Sequence, residues 1–158
     1  MSDAAEKFAN RPLYERDYYA WTREQARALR RRDVRALDFE NLWDEVEDLG
    51  KSERRAVLSR LEVLQAHLLK FLVQPEEQPS SWLATLQEQR MRLRKLLKAN
   101  PSLQSLPADS LEEVHELAVL SAIRDTDLPF NAFPETSPFS VEQLLDDTFV
   151  PYNRLASR

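Results

Sequence analysis

The chain has no cysteine and a single glycine in its 158 residues. The missing cysteines exclude disulfides, thiolate zinc sites and cysteine nucleophiles. One glycine excludes a glycine-rich phosphate loop, and it disfavours a sheet because tight turns between strands need glycine. The nine prolines instead mark loops. These absences predict an all-α protein whose long helices are joined by proline-marked loops.

The sequence also lacks long apolar runs. None approaches the ~20 residues that a membrane-spanning helix needs, and the start, "MSDAAEKFANRP", has no apolar segment of the kind found in signal peptides. The net charge of −5 and the pI near 5.2 argue against non-specific binding to nucleic acid. We therefore expect a cytoplasmic protein that has neither membrane nor nucleic acid as a partner, and we expect no cofactor.

Apolar residues spaced by three and four predict six helical segments. Proposed capping boxes, Asp109 with Glu112 and Ser140 with Gln143, begin the last two. The predicted fold is all-α, a single-domain bundle of four to five main helices with a short C-terminal helix and an aromatic, proline-rich extended segment. The helical domain covers residues 13–151, after a flexible N-terminal arm (1–12) and before a C-terminal tail (152–158). The six segments cover about 14–32, 39–49, 53–73, 80–99, 109–124 and a few residues after 140.

The stretch "WDEVEDLGKSERR" is acidic up to the only glycine and basic after it. Gly50 follows the last periodic apolar residue, where a glycine in the left-handed conformation ends many helices. A serine two residues later can cap the next helix. We therefore predict a tight hairpin at Gly50, with Val46 and Leu49 facing the core. The alternative is one helix over residues 39–73, in which Gly50 costs ~1 kcal/mol relative to alanine.

Five phrases of the sequence occur in a characteristic order. They are "LYERDYYAWTREQARALR", "DFENLWDEVEDLGKSERR", "LEVLQAHLLKFLVQP", "SWLATLQEQRMRLRKLL" and "FPETSPFSVEQLLDDTFVP". Together they resemble a bacterial family catalogued as domain of unknown function twenty-nine, many of whose members come from cyanobacteria. The resemblance covers about residues 13–151 and implies an α-helical domain occupying the whole protein. It carries over no catalytic or binding residues.

Glu112 and His115 form a Glu-x-x-His pair, which is half of a familiar metal motif. A carboxylate-bridged di-metal bundle needs two such pairs, with a glutamate from each of two further helices. The other histidine, His67, has no acidic residue three positions before it. His115 also falls among apolar residues, as expected of a satisfied core histidine. A metal site at Glu112 and His115 is therefore an alternative to the leading prediction that no metal is bound.

Arg60 and His67 lie seven residues apart, almost two helical turns, and so project from one side of a helix. The spacing resembles that in ribonucleases of the higher-eukaryote-and-prokaryote nucleotide-binding family, which implies a pair that positions an RNA phosphate and moves a proton. Here Leu61 follows the arginine, where that family has a polar residue. A ribonuclease-like enzyme using Arg60 and His67 is the second alternative.

Arg90 falls inside the apolar arc of its predicted helix. A buried guanidinium needs an anionic partner because an isolated buried charge is prohibitively unfavourable. We predict that Arg90 forms a buried pair with Glu45 or Glu47 of the acidic segment. The alternative is that the side chain extends along the edge of the core to solvent.

Surplus aromatic side chains suggest binding to a protein. Phe130, Phe133 and Phe139 lie in an extended segment, where they either complete the core or contact a partner. Tyr19 lies on the side of its helix opposite Trp21, so that helix has an aromatic residue on both sides. We predict a non-enzymatic protein-interaction module of the bacterial cytoplasm that binds a protein partner or a second copy of itself. The predicted partner-binding residues are Tyr19, Phe130, Phe133 and Phe139.

Overall fold

A computed structural model describes residues 11–77 and 79–151, and every regular element in these ranges is a helix. The predicted arm, apart from its last two residues, and the predicted tail lie outside the described residues. No helix in the described ranges is both long and apolar enough to cross a membrane. The α-helices are α1 (Leu13–Arg16), α2 (Tyr18–Arg31), α3 (Phe39–Val73), α4 (Ser80–Ala99), α5 (Leu106–Asp109), α6 (Leu111–Thr126) and α7 (Val141–Leu145).

The all-α, single-domain fold class is confirmed. Contacts between residues nevertheless cluster into two compact units, which meet in the sequence between Lys51 and Ser52. Unit 1 contains α1, α2 and the first part of α3. Unit 2 contains the rest of α3 and all later helices. The precise boundaries of the domain, residues 13–151, stay a prediction.

Unit 1 is a helical hairpin in which α2 runs antiparallel to the first part of α3. The side-chain oxygen of Gln25 accepts from the backbone N–H of Asp38 at 2.8 Å, while Tyr18, one end of α2, reaches Glu45 further along α3. Asp38 caps α3, since its Oδ1 accepts from the backbone N–H of Asn41 at 3.3 Å. These contacts fix the register of α2 against the first part of α3.

The predicted hairpin at Gly50 is wrong, because α3 continues without a break from Phe39 to Val73. Gly50 does not adopt the left-handed conformation that would end a helix. Around it, Lys51 Nζ reaches back to Glu47 at 2.7 Å, a pair one helical turn apart that supports helix on both sides of the glycine. The turns that flank Gly50 are rich in glutamate, leucine, lysine and arginine, which have high helix propensity. They offset the unfavourable free energy of one glycine in a helix.

Unit 2 contains a core centred on the later part of α3. Nearly all of its buried side chains come from successive turns of α3, α4 and α6, and the C-terminal segment adds three more. This is the periodicity expected of helices that each bury one face. The fully buried apolar members include Val57, Leu61, Leu64, Leu68, Leu69, Leu86, Leu93, Ala118, Ala122 and Leu144.

The side chain of Arg90 is completely buried, as predicted, but its predicted partner is wrong. Its guanidinium donates to three backbone carbonyl oxygens: Leu144 at 2.9 Å, Gln143 at 3.3 Å and Phe149 at 2.7 Å. Arg94 adds a fourth such bond, to Leu145 at 2.8 Å. The last carbonyls of a helix have no intrahelical donors and carry partial negative charge. Both arginines therefore cap the C-terminus of α7.

The two carboxylates that were predicted to bind Arg90 have other partners in unit 1. Glu45 accepts hydrogen bonds from two tyrosine hydroxyls, and Glu47 pairs with Lys51. Of the two predicted capping boxes, the one formed by Ser140 and Gln143 is confirmed. The one at Asp109 is wrong, because that residue ends α5 and α6 begins two residues later.

Substituting Gly50 tests the continuity of α3. Because Gly50 is exposed and helical, and a Cβ built on it meets no atom within 4 Å, we expect Gly50→Ala to raise the free energy of unfolding by ~0.5–1 kcal/mol. Urea denaturation followed by circular dichroism measures the change. If a left-handed Gly50 ended a helix, Gly50→Ala would instead lower the stability and Gly50→Asn would be tolerated.

Removing the guanidinium of Arg90 tests its capping role. Arg90→Met leaves three carbonyl oxygens of the C-terminal segment without a donor, so we expect the free energy of unfolding to fall by ~3–5 kcal/mol. The matched control is Arg92→Met, because Arg92 is exposed and its one ion pair within the described residues is with Glu88 on its own helix. That substitution is expected to cost less than about 0.5 kcal/mol. Equal losses in chemical denaturation would contradict the role.

Candidate functional site

Arg60 and His67, the predicted ribonuclease-like pair, have separate surroundings. Arg60 Nη1 donates to the side-chain oxygen of Gln89 on α4 at 2.9 Å. His67 Nδ1 lies 2.9 Å from the carbonyl oxygen of Val63, and its Nε2 lies 3.4 Å from Lys70 Nζ. Within the described residues the two side chains share no hydrogen-bond partner. The geometry therefore does not support a catalytic pair.

Lys70 organises the surroundings of His67. Its side chain is 3% exposed, its Nζ donates to Asp125 on α6 at 2.8 Å, and the same atom lies 4.7 Å from the ring centroid of Trp82 on α4. Since His67 Nδ1 donates to a carbonyl, the neutral ring has its lone pair on Nε2, which faces Lys70. Burial, followed by the charge of Lys70, lowers the pKa of His67. The cluster thus links three helices around a neutral histidine.

Glu112 and His115, the alternative metal pair, bind the C-terminal segment. Glu112 Oε2 accepts from the backbone N–H of Ser137 at 3.1 Å. His115 is buried, with Nε2 2.9 Å from the carbonyl oxygen of Pro134 and Nδ1 3.3 Å from the side-chain oxygen of Gln65. In the ranges that the structure describes, no group of three or more histidine, cysteine and acidic side chains could hold a metal ion. His115 is thus a core histidine whose two ring nitrogens both face protein oxygen atoms, and a neutral imidazole can donate to one of them.

The predicted partner-binding aromatic residues fall into two groups. Phe133 and Phe139 are only 7% and 4% exposed, because they pack into the core of unit 2. Their assignment to a binding surface is therefore wrong, and they complete the core instead. Tyr19 and Phe130 are 72% and 65% exposed, so their side chains are available to a partner.

A groove of about 580 Å³ lies beside α6 in unit 2. Its volume suits a small ligand. Phe130 is its one exposed aromatic residue, and the groove contains two carboxylates, those of Glu116 and Glu135. The rest of the lining is His115, Val119, Leu120, Asn131, Phe133 and Pro134. Since both ring nitrogens of its histidine face protein oxygen atoms, the polar side chains left to orient a ligand are Asn131 and the two glutamates.

In unit 1, two tyrosines bind one carboxylate. The hydroxyl groups of Tyr14 and Tyr18 each donate to a different oxygen of Glu45, both at 2.6 Å. The two tyrosine rings also contact the indole of Trp21, whose Nε1 donates to Asp38 at 3.0 Å. The three aromatic rings therefore hold α3 against α1 and α2 through two carboxylates. These hydrogen bonds were not predicted from the sequence.

The hydrogen bonds to Glu45 determine the ionisation of this cluster. They raise the pKa of Tyr14 to about 12 and raise that of Tyr18, since an ionised phenol loses a bond to a carboxylate. The same bonds, Tyr14 first, lower the pKa of Glu45. Hydrogen bonds from Asn41 and then Trp21 lower the pKa of Asp38. Both carboxylates are thus ionised at neutral pH.

The most exposed apolar surface of unit 1 lies on α3. Phe39, Trp43, Val46 and Leu49, spaced by four, three and three residues, lie on one side of the helix and are 60%, 64%, 66% and 69% exposed. We call these four residues the apolar stripe. Large side chains exposed together in this way mark interaction sites more often than scattered exposed residues do. The exposure of Val46 and Leu49 contradicts the prediction that they face the core.

Acidic side chains accompany the apolar stripe. Glu40 and Asp44 are exposed on the same turns, and both line a shallow surface recess with Phe39 and Trp43. Among the ion pairs within the described residues, none includes Glu40 or Asp44. The apolar stripe with its acidic neighbours is the candidate functional site. The spacing of the apolar residues predicted an apolar face on this helix. It could not predict whether that face is buried in the core or exposed, because both kinds of face have the same periodicity.

Comparison with known proteins gives one match. Residues 13–150 match the family model described as "domain of unknown function DUF29", which confirms the resemblance drawn from the five phrases. No curated protein and no solved structure matches the chain. The comparisons therefore transfer no activity, substrate or ligand to any residue.

A titration tests the tyrosine–carboxylate cluster. We expect Glu45→Gln to lower the pKa of Tyr14 from about 12 toward its ordinary value of 10.0, as measured by tyrosinate absorbance. Because the raised pKa belongs to the folded state, stability is present below pH 10 and is lost as the pH rises toward about 12. Glu45→Gln should weaken that loss. Glu47→Gln, which removes a carboxylate that binds no tyrosine, is the control, and an equal change in both variants would refute the assignment.

Proposed function

Because the chain belongs to the DUF29 family, whose description assigns no activity, we propose from its own geometry that it is a non-enzymatic protein-interaction module. It acts in the bacterial cytoplasm and binds through the apolar stripe of α3. The partner presents a helix with an apolar face bordered by basic side chains.

The exposure of the apolar stripe carries this proposal. Removing an exposed Val, Leu, Phe or Met side chain from water contributes ~1.5–3 kcal/mol, and tryptophan is among the residues that dominate binding energy at interfaces. The apolar stripe has two large aromatic and two aliphatic side chains within eleven residues of one helix. A rigid helix that presents residues at these spacings suits recognition by a second helix.

The acidic side chains determine the chemistry of the partner. Glu40 and Asp44 beside the apolar stripe attract lysine or arginine and repel carboxylates, which favours one orientation of the partner and excludes others. Tyr19, exposed on α2, can extend the contact beyond α3.

The enzymatic and metal alternatives are not part of the proposal. Arg60 and His67 bind different groups, and the ring nitrogens of His115 face oxygen atoms of Gln65 and Pro134. Within the described residues, the two side chains of each pair bind separate groups and do not converge on a common open position where a substrate atom or a metal ion could lie. Association through an apolar surface needs no such position.

Site-specific photo-crosslinking tests the proposed surface. Benzoylphenylalanine replaces Trp43 in the full chain, which is expressed in the source cells and irradiated. We expect a discrete protein adduct at this position, and we expect Val46→Asp in the same chain to abolish it by placing a charge in the contact. Crosslinker at Lys98, which is exposed on α4 of unit 2, is the control. No adduct at Trp43, or one that Val46→Asp leaves unchanged, would refute the proposal.

A further inference from the structure

We infer that the partner is a second copy of this chain, related by a two-fold axis that places α2 of each copy against the apolar stripe of the other. The inference rests on the proposed function, since it names the occupant of the proposed surface. In a two-fold interface every contact between two different residues is made twice. The hairpin of each copy must therefore carry two surfaces that are complementary to each other.

The charges of unit 1 provide such a pair. Residues 23–35 contain six arginines and two acidic residues, whereas residues 38–48 contain six acidic residues and no basic one. Two apolar stripes packed against each other would bring like charges together. Packing α2 of the second copy on the apolar stripe instead brings arginines beside carboxylates. The two-fold symmetry repeats this contact on the opposite side of the axis.

Charges of both signs lack partners within the described residues of the chain. Arg23 and Arg30, seven residues apart on α2 and both exposed, take part in none of the ion pairs there, and neither do Glu40 and Asp44. Seven residues are nearly two helical turns, so the two arginines lie on one side of α2. The opposite charge is on α3, where the carboxylates of Glu40 and Asp44 lie one turn apart. The two arginines of one copy are therefore available to pair with the two carboxylates of another copy.

Unit 1 also has very little core of its own. Among its described residues, the buried apolar side chains are Trp21 and Ala28. The smaller a folded unit, the smaller the fraction of its surface that it buries, so very small units are often stabilised by disulfides, metals or oligomerisation. This chain has no cysteine. Two hairpins that pack together become a four-helix arrangement with a shared core, which is a common way to bury such faces.

Exposed aromatic side chains supply about half of the area that each copy buries in a typical dimer. Tyr19, Phe39 and Trp43 together leave roughly 400 Å² of aromatic surface exposed in each copy, half of the ~800 Å² that each partner of a typical specific interface buries. The aliphatic members of the apolar stripe and Leu29, which is 54% exposed on α2, add to this surface.

The mass of the full chain in solution tests the inference. We expect light scattering after size-exclusion chromatography to give twice the 18.5 kDa of one chain, and sedimentation equilibrium to show that Val46→Asp raises the dissociation constant at least 10-fold. Lys98→Glu, on unit 2, should leave it unchanged. Circular dichroism verifies that each variant is folded, which the exposure of the substituted residues favours.

Exchanging the charges tests the arrangement of the helices. One variant carries Arg23→Glu and Arg30→Glu, and the other carries Glu40→Arg and Asp44→Arg. Each variant on its own should have a dissociation constant at least 10-fold higher than that of the wild type. Both α2–α3 contacts in a dimer of one variant bring like charges together. The mixture of the two should form a heterodimer with nearly the wild-type dissociation constant, since both of its contacts then join opposite charges.

Each result has a defined consequence. A wild-type chain that is monomeric at hundreds of micromolar overturns the inference, and so does a dimer that is insensitive to Val46→Asp or a charge-exchanged mixture that does not associate. If the chain is monomeric but Trp43 still crosslinks to a different protein, and Val46→Asp abolishes that adduct, the proposed function holds and only the second copy is refuted. If the chain is monomeric and no such adduct forms, both proposals fail.

Discussion

The helical backbone at Gly50 is the constraint on which the surface of this protein depends. Had the chain turned there, Val46 and Leu49 would have folded back onto other helices, and the acidic segment would have been the end of a short helix. Because α3 continues, the periodic apolar residues 39–49 form one side of a helix that the described chain leaves exposed. Because the acidic residues belong to the same helix, they lie at fixed positions next to these apolar residues. A single backbone conformation thus keeps these apolar residues on an exposed side of the helix.

Polar side chains hold the helical elements together through backbone atoms and carboxylates. Arg90 and Arg94 bind the final carbonyls of α7, where the helix itself offers no donors. Lys70 binds Asp125 from a site that is almost closed to water, and two tyrosines bind Glu45. In each case a charged group is desolvated in part, and a set of hydrogen bonds compensates for the loss of water. A chain without disulfides relies on such contacts to position short or irregular segments.

The sequence predicted the fold class and most helices because apolar periodicity, proline and capping residues act locally. The box formed by Ser140 and Gln143 could be identified within four residues. The burial of Arg90 could also be predicted, from its position in an apolar arc. Its acceptors could not, because they are carbonyls more than fifty residues away, and every residue has a carbonyl. The exposure of the apolar stripe was missed for a related reason: a pattern of apolar residues shows that one face avoids water, but not which surface covers it.

The exposed stripe and the unpaired charges have a common explanation. Exposed aromatic surface on α3 favours association with any apolar surface, which by itself gives no selectivity. Arg23 and Arg30 on α2, and Glu40 and Asp44 on α3, take part in no ion pair within the described residues. In the proposed dimer they repel like charges, so that only the alignment that brings opposite charges together is favoured. A hairpin that carries both signs on neighbouring helices supplies that arrangement to its own copy. In the proposed dimer, the apolar contacts provide the affinity, and the segregated charges determine the partner and its orientation.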